Sequence, residues 1–143
     1  MVKQYAVDRR VRLINKVVTG LTRTGMIDKR TFMLTTVGRK SGEERSTPVA
    51  LAITDSNRYL VSPYGEVGWV HNIRATSQGR LTRRGAATEI RVTEVDAPEA
   101  GPILQQYWAE NKITRPYFAT TDGTDAAGFL AEASDHPVFR IEH

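Results

Sequence analysis

The sequence predicts an α+β protein: five or six antiparallel strands curled into a small β-barrel or sheet, with helices between and outside them. Three observations carry this. Short runs rich in Thr, Val and Ile recur with glycine or Asp/Asn turns between them, beginning on either side of Gly38-Arg39-Lys40-Ser41-Gly42. The clearest helical patterns stand at the borders of that strand-rich block, at about 6–24 and 96–111. No repeat, linker or low-complexity segment interrupts the 143 residues, a length that fits a single domain over 1–143.

In chain order, Val7, Val11, Ile14, Val18 and Leu21 fall at steps of four and three, so they share one helix face. Arg9, Arg10, Arg12, Lys16 and Arg23 lie mostly off that face. Such a helix either packs across the mouth of a sheet or rests on an anionic membrane surface. Strands over 31–37 and 45–53 follow as a hairpin, and its turn asks for left-handed backbone at Gly38 and Gly42. Pro48 cannot donate a ladder hydrogen bond, so a sheet edge or bulge is expected there. Asp55-Ser56-Asn57 turns the chain into a third strand over 58–62. Pro63-Tyr64-Gly65-Glu66 ends that strand, and 67–75 reads as a short helix. Strands over 79–84 and 88–95 join through Gly85-Ala86-Ala87. Asp96-Ala97-Pro98-Glu99 then signals a helix start, with an acid at the N-cap, proline in the first turn and Glu99 three residues on. An aromatic loop at 115–118, a weaker helix over 126–133 and a strand over 136–141 complete the chain.

Composition narrows the chemistry. The chain has no cysteine, which excludes disulfides, thiolate metal sites and a Cys nucleophile and fits a reducing cytoplasm. No apolar run approaches the length of a membrane span, and the N-terminus lacks the apolar core of a signal peptide. The net charge of +4 conceals an asymmetry: eight Lys/Arg face Asp8 and Asp28 within residues 1–30, whereas nine acids face Lys112, Arg115 and Arg140 from Glu94 onward. The basic part suits an anionic partner such as a phosphorylated cofactor or a membrane surface. Nucleic acid is set aside, because no helix-turn-helix, zinc-finger or RNP-type pattern is present.

No metal site is expected, since His71, His136 and His143 are far apart and lack partners at ligand spacing. His71 reads as a helix-surface or packing residue and His136, before Pro137, as a turn former. No G-x-S-x-G elbow exists, and Glu43-Glu44 falls in an exposed turn. Without a protein nucleophile, redox or transfer chemistry would have to come from a cofactor. The turn itself has the means to hold one: Arg39, Lys40 and Ser41 between glycines, with Arg45 beyond, suit a phosphate or carboxylate-rich anion. A solvated basic hairpin is the plain alternative. If this hairpin neighbours the strand ending at Ser62, then Ser62, Tyr64, Trp69 and Asn72 flank the other side of a groove. Tyr64 and Trp69 could cover an aromatic ring and Asn72 orient it. Taken alone, Trp69 reads first as core packing.

The string Thr35-Thr36-Val37-Gly38-Arg39-Lys40-Ser41-Gly42, with Arg45 and Pro48-Val49, resembles the signature of the deazaflavin-dependent nitroreductase family. Trp69 and Asn72, spaced W-x-x-N, match that family's helix after the third strand. The resemblance runs from about 31 to 95 and, more loosely, to the closing strand. It implies a split β-barrel of FMN-binding-like type and coenzyme F420, a deazaflavin with a phosphodiester and an oligoglutamate tail. By that likeness Arg39, Lys40, Ser41, Gly42 and Arg45 hold the tail anions, while Pro48, Val49, Ser62, Tyr64 and Gly65 border the ring, with Trp69 and Asn72 nearby. It implies hydride transfer to a quinone, enone or nitro acceptor, with Tyr64 as proton donor. Where the better-known members carry a Ser/Lys-Gly-Gly segment, this chain has a shorter stretch over 62–68 without the lysine. The rival is a divergent split barrel holding an apolar ligand, such as a fatty acyl chain, at a membrane; a weaker one is an FMN protein. A homodimer is compatible with the resemblance.

Overall fold

The computed structural model describes residues 29–143, so the amphipathic helix expected at 6–24 lies outside the described residues. The strands are β1 (Thr31–Val37), β2 (Glu44–Ile53), β3 (Arg58–Val61), β4 (Gln78–Arg83), β5 (Ala86–Glu94) and β6 (Val138–Ile141). They are antiparallel and close into a barrel in the order β1-β2-β3-β6-β5-β4, with β4 returning to β1. Helix α1 (Gly68–Thr76) connects β3 to β4. Helix α2 (Ala97–Glu110), a 3₁₀ turn (Lys112–Tyr117) and α3 (Ala126–Glu132) lie between β5 and β6.

Because successive side chains on a strand face opposite ways, the barrel wall serves two cores. Leu34, Leu51, Leu60, Leu81 and Phe139 fill the inner one, joined by Val70 and Ile73 from α1. Ala52, Tyr59, Val61 and Val138 point outward against Ile103, Leu104 and Phe129 of the helical layer. Each fully buried leucine of this kind contributes about 1.5–3 kcal/mol by leaving water.

Two local expectations change in the folded chain. Gly42 has φ +71°, but Gly38 is not left-handed. Gly38 is there for space: a Cβ at that position would lie 2.6 Å from Ser41 Oγ. At the start of α2, Pro98 sits in the first turn, yet Asp96 makes no side-chain cap. Glu99 does not reach back to form a capping box, because Tyr59 and Arg140 engage its carboxylate instead. The aromatic stretch at 115–118 is the end of the 3₁₀ turn, with Tyr117 and Phe118 buried.

The edge expected at Pro48 decides where the barrel opens. Pro48 pairs with Met33 of β1, whereas β2 meets β3 only through Leu51, Ala52 and Ile53. The earlier half of β2 therefore has a single strand partner among the described residues.

Candidate functional site

Where β2 parts from β3 there is a cleft of about 720 Å³. The turn between β1 and β2 supplies one end, with Arg39, Lys40, Ser41 and Arg45 on the lining. Pro48 and Val49 from β2 and Trp69 from α1 form apolar walls, and Tyr64 follows from the loop after β3. Trp69 is half-buried, tilted over Phe139 with ring centroids 5.8 Å apart, so it serves both the core and the cleft. No carboxylate lines the cleft among the described residues.

The turn is held by its own backbone. Gly38 N donates to Glu43 O at 2.7 Å, Gly42 N to Gly38 O at 2.9 Å, and Glu43 N to Ser41 Oγ at 3.1 Å. Arg39, Lys40 and Arg45 are exposed. Arg45 approaches Glu43 at 3.3 Å, but both side chains are about two-thirds exposed (66% and 69%), so solvent leaves that pair little strength.

Asn72 is buried, and its amide is committed within the protein. Oδ1 accepts from Arg39 N at 3.1 Å and from Arg39 Nη1 at 3.2 Å, while Nδ2 donates to Thr36 Oγ1 at 3.2 Å. Helix α1 is thereby tied to the cationic turn.

Arg39, Lys40, Ser41, Arg45, Pro48, Val49, Tyr64, Trp69 and Asn72 thus come together on one cleft, while Gly42, Ser62 and Gly65 are not among its lining residues. Gly42 shapes the turn with its left-handed backbone. Ser62 is fully buried, and its hydroxyl donates to Gly65 O. Gly65, at φ +88°, reverses the chain close to Asp135 O. Ser62 and Gly65 therefore brace the segment carrying Tyr64 from behind.

The opposite wall was not foreseen. Tyr107 from the last turn of α2, Asn111 just after the helix, and Ile113 and Thr114 from the 3₁₀ turn line it. Burial pushes the Tyr107 phenol above its ordinary pKa, and neighbouring Tyr64 adds to this. His136 is a buried residue rather than a simple turn former. It stacks on Phe118 at 4.1 Å and sits 3.6 Å from Glu132, outside the cleft. Among the described residues, no group of three or more His, Asp or Glu could hold a metal ion.

Residues 7–126 match the family model described as F420H(2)-dependent quinone reductase. The chain belongs to the F420H2-dependent quinone reductase family. No curated protein matches the sequence. Among solved structures, an F420-H2 dependent reductase (FDR-A) is similar at 17% identity and TM-score 0.55, over 81% of this chain and 96% of that one. A domain-swapped dimer is similar at 14% identity and TM-score 0.56, over 93% and 99%. A candidate pyridoxamine 5′-phosphate oxidase from Listeria innocua follows at 12% and 0.53, over 90% and 92%. At such identities the likeness concerns the fold, which is a split β-barrel. No helix among the family member's described residues is long and apolar enough to cross a membrane.

Proposed function

We propose that this family member binds coenzyme F420 in the cleft and reduces a quinone-type acceptor with it. The observation that carries this is the gathering of Arg39, Lys40, Ser41 and Arg45 at one end of a cleft that, among the described residues, no carboxylate lines. A phosphodiester with an oligoglutamate tail needs that donor set, and a planar ring suits the walls of Pro48, Val49 and Trp69. When bound, the reduced deazaflavin supplies a hydride. The protein's own work is to grip the tail, fix the ring's orientation and provide a proton. A quinone that accepts a hydride must also accept a proton, and we assign Tyr64 Oη as its donor. The Tyr64 ring packs edge-on against Tyr117 at 4.8 Å, which limits its freedom. Enone and nitro acceptors share the same requirement, and the family assignment favours the quinone.

An apolar ligand would have no use for three cations. Tyr117 and Phe118, from the aromatic stretch at 115–118, are buried and offer no exposed apolar surface. FMN is the second reading, because one phosphate also fits the turn. The domain-swapped dimer among the structural relatives supports a homodimer here.

Titration of the purified protein with F420 and with FMN tests the proposal, with F420 expected to bind more tightly. Lys40→Ala combined with Arg45→Ala should weaken F420 by about 2–3 kcal/mol, roughly 30- to 150-fold. Unchanged affinity would remove the turn from the site.

A further inference from the structure

We infer that Asn72 is a positioning residue for Arg39: it sets the guanidinium in place before an anion arrives and does not itself need to touch the cofactor. This rests on the F420 reading of the cleft and deepens it. Three features carry it. Asn72 is 5% exposed and Thr36 2%, so the amide sits where an unmade hydrogen bond would be costly. Oδ1 receives both the backbone N–H and Nη1 of Arg39, joining main chain and side chain at one acceptor. Nδ2 is given to Thr36 Oγ1, and this fixes which end of the amide faces Arg39. Turned the other way, the amide would set N–H donors against the N–H donors of Arg39.

The consequence is pre-organisation. An exposed arginine on a turn samples many rotamers, and gripping an anion would freeze them. Asn72 restrains that motion in advance through Nη1, while the remaining guanidinium N–H groups stay on offer. Trp69 lies three residues earlier on α1 and lines the cleft. One helical turn thus sets a wall of the cleft with Trp69 and the cation at its end with Asn72.

A double-mutant cycle on F420 affinity tests this with Asn72→Ala, Arg39→Ala and the pair, alongside melting temperatures. Each single change should weaken binding about tenfold. In the Arg39→Ala background the backbone N–H bond to Asn72 remains, so Asn72→Ala should still cost something there, but clearly less than its roughly tenfold effect in the unaltered protein. Two losses that simply multiply would overturn the inference. Amide exchange without ligand is the second arm: Asn72→Ala should speed exchange at Arg39 N–H while β1 and β4 stay protected, and unchanged exchange would overturn the lock. Should Asn72→Ala fail to fold, Thr36→Val removes the hydroxyl that orients the amide and is expected to act in the same direction. If the unaltered protein binds no F420 but Arg39 exchange responds as expected, the cofactor assignment falls and the lock stands.

Discussion

Glu99 and Arg140 are locked together: Arg140 Nη1 lies 2.7 and 2.8 Å from the two carboxylate oxygens of Glu99. Arg140 on β6 is the cross-strand partner of Tyr59 on β3, and Tyr59 Oη donates to the same carboxylate at 2.9 Å. One acid on the first turn of α2 therefore fastens the helical layer to two neighbouring strands.

Glu99→Gln should lower the urea midpoint only modestly, since solvent screens much of the pair. Hydrogen bonding from Arg140 holds the Glu99 carboxyl below its ordinary 4.5. The stability it gives is complete above that value and is lost as pH falls through the lower, folded-state value. The variant should flatten the acid limb of a stability-against-pH curve; an unaltered limb would discount the lock.

His136 acts in a different pH window. Burial holds its imidazole below the ordinary 6.5, with nearby Glu132 opposing but not reversing that effect. The unfolded chain takes up the proton first, so stability should decline as pH drops below 6.5, by no more than about 1.4 kcal/mol per pH unit. His136→Gln should remove that slope in urea titrations between about pH 7 and 5.

Ser62→Ala addresses the brace behind Tyr64. Gly65 O accepts from both Ser62 Oγ and Val67 N, so the loss leaves one bond and should cost about 1 kcal/mol of stability. F420 affinity should change little compared with the turn variants. A binding loss as large as that of Lys40→Ala with Arg45→Ala would place Ser62 on the cofactor after all.

Salt should separate the turn from the walls. Interactions of exposed cations with an anionic tail are screened within about 10 Å at 0.1 M ionic strength, so F420 affinity should fall as salt rises. The Lys40→Ala, Arg45→Ala variant should show a shallower dependence. Trp69→Ala should weaken binding while keeping the original slope.

Local chemistry made much of this structure legible. Thr31–Val37 is a strand with the bounds that its β-branched residues indicate, and Pro48 marks an edge because it cannot donate. Most of the residues drawn from the turn and the W-x-x-N pair do meet on one cleft. What stayed hidden depends on distant partners. Tyr107 and Thr114 reach the cleft only because the barrel brings α2 and the 3₁₀ turn across from β2. Glu99 looked like a capping residue until β3 and β6 placed Tyr59 and Arg140 beside it. The turning of the Ser62 hydroxyl to the Gly65 carbonyl likewise depends on how the loop after β3 folds back.

The parting of β2 from β3 has a kinetic meaning. If a flat guest enters edge-on between them, it meets a seam that no ladder closes among the described residues, with nothing there to tear and mend at each visit. Arrival would then be paced by diffusion and charge attraction, and the sheet would have no need to breathe.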